Sequence, residues 1–166
     1  QMQLRFAFIL SLFIGLFSCV KQENGAFQRE YRMSLEIPAD ANPLFTHIFE
    51  QPIASSWIQF LKENNLTEKD IKAVKPRSII LTPIFDNNIS YASVYPRNKL
   101  QEYLPIADVY DPIGNDNELI FLPGLADVKE IVSQPEFVLR LALNVRVTPG
   151  SLSEHYLTVQ FDVFLN

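Results

Sequence analysis

Residues 137–147 read Phe-Val-Leu-Arg-Leu-Ala-Leu-Asn-Val-Arg-Val, and residues 157–165 read Leu-Thr-Val-Gln-Phe-Asp-Val-Phe-Leu. Every second side chain in both stretches is apolar, and most of the side chains between them are polar. This period of two is the pattern of a β-strand that buries one face. The four residues Thr148-Pro149-Gly150-Ser151 between the stretches favour a turn. We therefore predict that the two strands form an antiparallel hairpin.

Further strands are predicted elsewhere in the chain. Residues 31–37 alternate in the same way, and residues 78–85, 89–95 and 119–122 are rich in β-forming side chains. Pro83 lies within the second of these segments. Because proline cannot donate a hydrogen bond to a central ladder, Pro83 indicates an edge strand or a bulge.

One helix is predicted between the first strand and the others. Pro52 is suited to its first turn, and Ile53, Trp57, Phe60 and Leu61 share one apolar face. This pattern places Trp57 in the core. Shorter helical turns are predicted after Thr67, where Thr67 to Asp70 resembles a capping box, and within residues 127–133.

These elements predict a mainly β fold, an antiparallel β-sandwich with one early helical insertion. An α+β arrangement is the alternative. The strands follow one another at hairpin spacing and do not alternate with helices, which is why we favour the sandwich over a parallel α/β sheet.

The amino-terminal segment has a different character. Arg5 precedes residues 6–17, which are apolar apart from Ser11 and Gly15. Twelve residues are too few to span a bilayer, which needs about 20, but they fit the apolar region of a secretory signal, which needs about 7–15. We interpret residues 1–18 as a signal peptide.

The end of this segment, Leu16-Phe17-Ser18-Cys19, contains the single cysteine of the chain. It resembles the lipobox of bacterial lipoproteins, in which Leu, a small residue and Gly, Ala or Ser precede the cysteine; Phe17 stands where the small residue is usual. The resemblance implies cleavage before Cys19, a diacylglyceryl group on its thiol, and a further fatty acid such as palmitate on the new amino terminus. Several acyl chains of this kind hold a protein firmly on a bilayer.

Cleavage at this point would leave 148 residues, which we divide into a tether, residues 19–27, and a single β domain, residues 28–166. Loss of Arg5 leaves 13 basic and 19 acidic side chains, a formal charge of −6 that is spread along the chain. This balance argues against nucleic acid as a partner. In bacteria with two membranes, the absence of an aspartate directly after Cys19 leads us to expect the outer membrane rather than the inner one.

The sequence contains no recognisable catalytic motif. His47 and His155 are the only histidines, and their spacing fits no zinc motif. Ser55 and Ser56 lack the flanking glycines of a nucleophile elbow, and we expect them on the polar side of the helix. We therefore predict no catalytic residue, no resident metal and no cofactor.

Two clusters have binding potential. Asp108, Asp111, Asp116 and Glu118 could supply oxygen ligands for Ca²⁺, but their spacing is not that of an EF-hand, and a solvated loop rich in Asn, Asp and Gly is the favoured interpretation. Aromatic residues are concentrated in the middle third of the chain, namely Phe85, Tyr91, Tyr95, Tyr103, Tyr110 and Phe121. Exposed aromatics would form a platform for sugars or proteins, whereas buried ones would reflect the preference of strands for aromatics.

We therefore expect a lipid-anchored, non-catalytic protein of the bacterial envelope that acts in binding, adhesion or structure, with the bilayer and an envelope protein or glycan as its partners. The alternatives are a ligand-binding accessory subunit of an envelope transport system, and an enzyme whose site the sequence does not reveal. An exposed aromatic patch would favour the first, a deep apolar pocket the second, and a cleft of converging carboxylates the third.

Overall fold

The structure is a computed structural model that describes residues 25–84, 88–97, 103–112 and 117–166. The predicted signal peptide, Cys19 and most of the predicted tether lie outside these residues, as do Phe85 and Asp116. The described residues form nine strands: β1 Phe27–Ile37, β2 His47–Ala54, β3 Ile71–Thr82, β4 Ile89–Arg97, β5 Ala107–Tyr110, β6 Leu119–Ile120, β7 Leu122–Pro123, β8 Glu136–Val145 and β9 Ser153–Leu165. They also form two short helices, α1 Trp57–Glu63 and α2 Lys129–Val132, and a 3₁₀ turn, Glu68–Asp70.

The strands build two antiparallel sheets. One has four strands in the order β1-β9-β3-β6, and the other has five strands in the order β2-β8-β4-β5-β7. Within them β1 pairs with β9, β2 with β8, β3 with β6 and β4 with β5. Four nested antiparallel pairs, divided between two packed sheets, are the topology of a jelly roll, here with β7 added at one edge. The predicted mainly β antiparallel sandwich is confirmed.

The core lies between the sheets and is formed by alternate side chains of the long strands. In β1 the inward residues are Tyr31, Met33, Leu35 and Ile37, each at most 6% exposed. The inward residues of β8 and β9 are buried to the same degree, as their alternation predicts: Phe137, Leu139, Leu141, Leu143, Val145, Leu157, Val159, Phe161 and Val163. The two stretches that define the fold in the sequence thus supply the centre of the core.

The predicted hairpin between the last two strands is wrong. Both strands exist, but β8 pairs with β2 and β4 in the five-stranded sheet, whereas β9 pairs with β1 and β3 in the other. The turn residues between them carry the chain from one sheet across to the other. Alternation of apolar and polar residues shows only that a strand buries one face. Both strands bury that face in the same core, so the pattern does not identify the strand with which each one pairs.

The predicted helix begins later than expected. Helix α1 starts at Trp57, while Pro52 and Ile53 belong to β2. Strand β2 is an edge strand, where a missing N–H group is tolerated, and this explains how Pro52 is accommodated. The prediction that Trp57 is in the core is confirmed, since its side chain is 1% exposed.

Other boundaries also differ from the sequence prediction. Strand β3 extends from Ile71 to Thr82, so Pro83 follows the end of a central strand and does not lie within an edge strand. The predicted strand 119–122 divides into β6 and β7, which belong to different sheets. The short turns at residues 68–70 and 129–132 are confirmed.

The two ends of the sandwich differ in what they carry. Strands β1, β3, β5 and β8 each end, and the next strands of the opposite sheet, β2, β4, β6 and β9, each begin, at one end of the sandwich, which we call the distal end. The other end, the proximal end, holds the start of β1, the end of β9 and helix α1. Strand β1 has 11 residues and therefore spans roughly 35 Å between the ends. Within the described parts of the chain, no helix has both the length and the apolar character needed to cross a membrane.

Candidate functional site

Tyrosines from two adjacent strands and the loop between them share the outer surface of the five-stranded sheet. In β4, Ala92 and Val94 are fully buried in the core, so the alternation directs Tyr91, Ser93 and Tyr95 outward. The strand register completes the surface, which we call the tyrosine face; it consists of Ile48, Glu50, Tyr91, Ser93, Tyr95, Arg97, Tyr103, Asp108, Tyr110, Leu122, Arg140, Ala142 and Asn144.

Three of the tyrosines form a connected group. Tyr91 lies opposite Tyr110 in the register, and their ring centroids are 4.9 Å apart. The hydroxyl oxygens of Tyr91 and Tyr95 are 3.4 Å apart. This hydrogen bond, with a contribution from burial, raises the pKa of Tyr91 to about 12. Tyr91 is therefore protonated at physiological pH and presents a neutral phenol.

Tyr103 belongs to a second group with Arg140 and Glu50. The Tyr103 hydroxyl and Arg140 Nε each donate to Glu50 Oε1 at 2.7 Å, and the Arg140 guanidinium carbon is 3.5 Å from the centroid of the Tyr103 ring. Arg140 also donates to the Tyr103 hydroxyl. The bonds from Tyr103 and Arg140 lower the pKa of Glu50, and the bond to Glu50 raises the pKa of Tyr103. The group therefore combines an ionised carboxylate, a guanidinium and a neutral phenol.

A low strip of small side chains runs between these groups. Ser93 and Ala142 are 2% and 8% exposed and lie opposite each other on β4 and β8. The same row continues to Ile48 on β2 and to Leu122 on β7, which are 56% and 77% exposed. With strands about 4.8 Å apart, the row is roughly 19 Å long. Between the two groups the tyrosine face therefore presents the small side chains of Ser93 and Ala142 beside exposed Asp108, with an apolar residue at each end of the row.

The outer surface of the other sheet is different. The outward residues of β1 are Gln28, Glu30, Arg32, Ser34 and Glu36, and all five are exposed. Some of them bond to one another, as Arg32 does to Glu30 at 3.0 Å. The β1 edge of this surface is polar and well solvated, but Tyr156 on β9 and Ile120 on β6, which are 49% and 62% exposed, lie on the same outer surface. The five-stranded sheet is distinguished by its group of four tyrosines.

A second candidate site opens at the distal end. Its volume is about 680 Å³, and we call it the distal pocket; it is lined by Ile37, Pro83, Ile84, Asn88, Ile89, Val145, Val147, Pro149, Ser151, Leu152, Ser153, Glu154 and His155. Most of these side chains are apolar and come from both sheets and from the loops that join them. Pockets of 300–1,000 Å³ with mainly apolar walls are typical of small-molecule sites.

His155 forms part of the wall of the distal pocket and is 4% exposed. Its Nδ1 is 2.6 Å from the carbonyl oxygen of Pro83, and its Nε2 is 2.7 Å from Ser153 Oγ. A carbonyl oxygen can only accept, so Nδ1 carries the proton and Nε2 accepts from the hydroxyl. Burial lowers the pKa of His155, and the bond to Pro83 opposes this shift. The imidazole is thus held in its neutral form.

The lowered pKa predicts how stability depends on pH. The unfolded chain binds a proton at His155 near pH 6.5, while the folded chain binds it only at lower pH, so the free energy of unfolding should fall as the pH is lowered below about 6.5. In His155→Gln this contribution is absent. Urea unfolding between pH 7.5 and 5.5 should therefore show a smaller loss of stability in the variant. Parallel curves for the two proteins would contradict the neutral assignment.

The remaining predicted site residues do not come together. Asp111 pairs with Arg146 at 2.5 Å, Asp108 lies on the tyrosine face, and Glu118 is exposed. In the described ranges, no three His, Cys, Asp or Glu side chains are close enough to one another to hold a metal ion. Ser55 is buried ahead of α1 and bonds to the carbonyl of Gln134, so its predicted place on the polar side of the helix is wrong.

The two histidines lie in different environments, and the predicted aromatic cluster divides between the surface and the core. His47 is partly buried at the start of β2, whereas His155 is buried within β9. Four tyrosines of the aromatic cluster lie on the tyrosine face, but Phe121 is 1% exposed and belongs to the core. Sequence analysis did not identify Glu50, Arg140 or the distal pocket. Residues 50 and 140 are 90 positions apart, and no local pattern links them.

No protein-family model and no curated protein matches the chain. Among solved structures, a chain in the structure of infectious bursal disease virus Gt strain is 12% identical to this one, with a TM-score of 0.30. The match covers 86% of this chain and 42% of that chain. Turnip yellow mosaic virus is 10% identical over 90% of this chain and 87% of that chain, with a TM-score of 0.25. Likeness at this level supports no inference about function.

Proposed function

We propose that the chain is a lipid-anchored, non-catalytic binding protein of the bacterial cell envelope that holds a protein partner on its tyrosine face. The anchor is acylated Cys19, and the outer membrane is the expected location. The single observation that carries the proposal is the concentration of tyrosine and arginine side chains on one outer surface of the sandwich, that of the five-stranded sheet.

The composition of the tyrosine face favours a protein partner. Tyrosine and arginine are enriched in the residues that dominate binding energy at protein interfaces. Of the residue types depleted there, the face lacks lysine but contains Glu50, Ser93, Asp108 and Ala142. Tyr103, Arg140 and Glu50 are already bonded to one another. Rigid, internally bonded side chains lose little conformational entropy when a partner covers them.

The size of the tyrosine face bounds the strength of the interaction. The row from Ile48 to Leu122 is roughly 19 Å long, and the surface extends about 20 Å along β4 from Tyr91 to Arg97, so it covers about 400 Å². A standard interface buries about 800 Å² on each partner. The partner must therefore also contact neighbouring loops, or the complex is transient.

The anchor would fix the position of this surface. Strand β1 begins eight residues after Cys19, and a chain of that length reaches at most about 28 Å. The proximal end would therefore lie near the bilayer. The distal end would point away from the bilayer when the strands run along the membrane normal. A partner would reach the tyrosine face from the side.

The distal pocket favours a second candidate function. A pocket of about 680 Å³ lies in the size range expected of a ligand-binding accessory subunit of a transport system, and most of its lining residues are apolar. The two functions use different surfaces and can be tested separately.

Site-specific photo-crosslinking tests the proposed interface. A photoreactive phenylalanine analogue placed at Ile48, Tyr110 or Leu122 of the full chain should yield discrete crosslinked products in intact bacterial cells. The same analogue at Arg32 or Ser34, on the outer surface of the other sheet, is the matched control and should yield no product with a different protein. Equal products from both surfaces, or none from either, would contradict the proposal, and a glycan in place of a protein in the product would change the class of partner.

A further inference from the structure

The edge strands of the two sheets are protected against pairing to different degrees. An edge strand presents unpaired N–H and C=O groups that can pair with another chain, and short length or a proline discourages this pairing. Strands β6 and β7 have two residues each, and β2 contains Pro52. Strand β1 has 11 residues, no proline and an unbroken register with β9. Among the edges in the described residues, β1 is therefore the one best able to accept a further strand.

The backbone groups at the open edge of β1 belong to alternate residues. Ser34 donates its N–H to Oε1 of Gln51 at 3.1 Å, so this N–H points away from β9. In an antiparallel pair, every second residue directs both its N–H and its C=O to the same side of the strand. The residues that direct both groups to the open edge are therefore Gln28, Glu30, Arg32, Ser34 and Glu36. Within the described residues, no strand pairs with them on that side.

The open edge is already held in the shape that pairing requires. Tyr31, Met33 and Leu35, the inward residues between these positions, are each at most 6% exposed. Strand β9 also bonds the other side of β1 over its whole length. A strand fixed in this way loses little conformational entropy when a second strand is added.

The outward side chains of β1 determine which strand fits this edge. Glu30 and Arg32 have opposite charges, and Arg32 Nε is 3.0 Å from Glu30 Oε1 within the chain. When a second copy of β1 runs antiparallel with Tyr31 opposite its own copy, Glu30 of each chain lies opposite Arg32 of the other. Gln28 then lies opposite Ser34. The strand is therefore complementary to itself, with two pairs of opposite charge at Cα separations of about 5.5 Å.

Moving the centre of this pairing brings like charges together. A centre at Arg32 places this guanidinium opposite its own copy, and a centre at Glu30 does the same for two carboxylates. A centre at Met33 places Glu30 opposite Glu36. Like charges directly opposite each other destabilise an antiparallel pair. A centre at Ser34 joins Arg32 to Glu36, but it shortens the overlap by about 7 Å relative to a centre at Tyr31.

We propose that the chain forms a twofold-symmetric dimer in which the β1 strands of two copies pair antiparallel, centred on Tyr31. The two four-stranded sheets become one continuous sheet. Residues 27–35 of each copy overlap, and their edge-facing residues exchange roughly eight backbone hydrogen bonds. Two of these replace the bond from Ser34 to Gln51 in each copy. Because the same edge of both copies is used, the interface is closed and growth stops at two copies.

The dimer is independent of the tyrosine face and of the partner proposed for it. The twofold axis is perpendicular to the joined sheet, so the two tyrosine faces lie on the opposite side of the dimer and point in the same direction. The starts of the two β1 strands are about 27 Å apart along the strands. Two anchored copies can therefore pair on one bilayer when their strands lie along the membrane.

Charge reversal at the paired positions tests both the dimer and its register. Sedimentation equilibrium of the full chain in density-matched detergent micelles should show a reversible dimer at about 100 μM. Glu30→Arg and Arg32→Glu should each weaken self-association at least about fivefold, because two pairs of opposite charge become two pairs of like charge. An equimolar mixture of these two variants should recover the wild-type affinity, because every pair in the mixed dimer again joins opposite charges.

Two further variants are the controls. Glu36→Arg reverses a charge on the same surface of β1 but outside the overlap, and it should change the affinity by less than about twofold. The double variant Glu30→Arg, Arg32→Glu restores both pairs and should dimerise as the wild type does. Circular dichroism of each variant verifies that the fold is intact.

The proposal is overturned if either single variant associates as tightly as the wild type or if the mixture does not recover the affinity. Assemblies larger than a dimer would also overturn it. A wild-type chain that stays monomeric at about 100 μM would overturn it too, and would leave the β1 edge to a strand of a different protein.

Discussion

Replacing Trp57 with alanine should lower the free energy of unfolding by about 3–5 kcal/mol, the usual cost of removing a large aromatic side chain from a core. Trp57 is 1% exposed, its ring centroid is 5.3 Å from that of Phe60, and its indole N–H donates to Glu68. Phe60 in turn contacts Phe27 edge to face at 5.7 Å. Trp57 therefore joins helix α1 both to the 3₁₀ turn and, through Phe60, to the start of β1.

Chemical denaturation of the full chain and its variants measures this effect. Ile58→Ala is the matched control because it lies in the same helix but is 73% exposed, and its free energy of unfolding should change by no more than about 0.5 kcal/mol. Trp57→Phe keeps much of the buried hydrocarbon and should fall between the two. A loss of less than about 1 kcal/mol in Trp57→Ala would show that α1 contributes little to the core. If the alanine variant does not fold, Trp57→Phe carries the test.

The alternation of apolar and polar residues was sufficient to predict those strands that bury only one face. Strands β8 and β9 alternate over most of their length because each packs against the core on one side and meets solvent or polar neighbours on the other; Ala142 and Asp162 are buried exceptions. Their assignment to sheets could not be predicted, because β9 pairs with β1 across most of the length of the chain. Pairing between strands so far apart in sequence depends on how the whole core packs, and no local sequence pattern specifies it.

Strands β2 and β5 escaped prediction for different reasons. In β2, Ile48 faces outward and Phe49 is partly buried on the other face, so apolar residues stand on both sides and the alternation is lost. Strand β5 has only four residues, which is too short for a period to be recognised.

The candidate sites, like the strands, could be predicted only in part from the sequence. The aromatic residues could be identified from composition, but only the strand register separates Tyr91, Tyr95 and Tyr110, on the outer surface, from buried Phe121. Arg97 and Tyr103 meet through an isolated bridge outside the regular strands. The distal pocket is formed where strand ends from both sheets meet, so its lining residues have no spacing in common.

Replacing Cys19 with alanine should abolish the incorporation of radiolabelled palmitate and release the chain from the membrane fraction. The proposed anchor depends on the thiol, because the diacylglyceryl group is attached to it and the later acylation requires cleavage beside it. A single acyl chain at about 0.8 kcal/mol per buried CH₂ gives only marginal binding, whereas several chains hold a protein firmly, so the loss should be nearly complete. Ser18→Ala is the matched control: alanine is accepted at that position of the lipobox, and both labelling and membrane association should persist. Equal labelling of the wild type and Cys19→Ala would refute the anchor, and the tyrosine face would then have to act on a protein that is not tied to a bilayer through this residue.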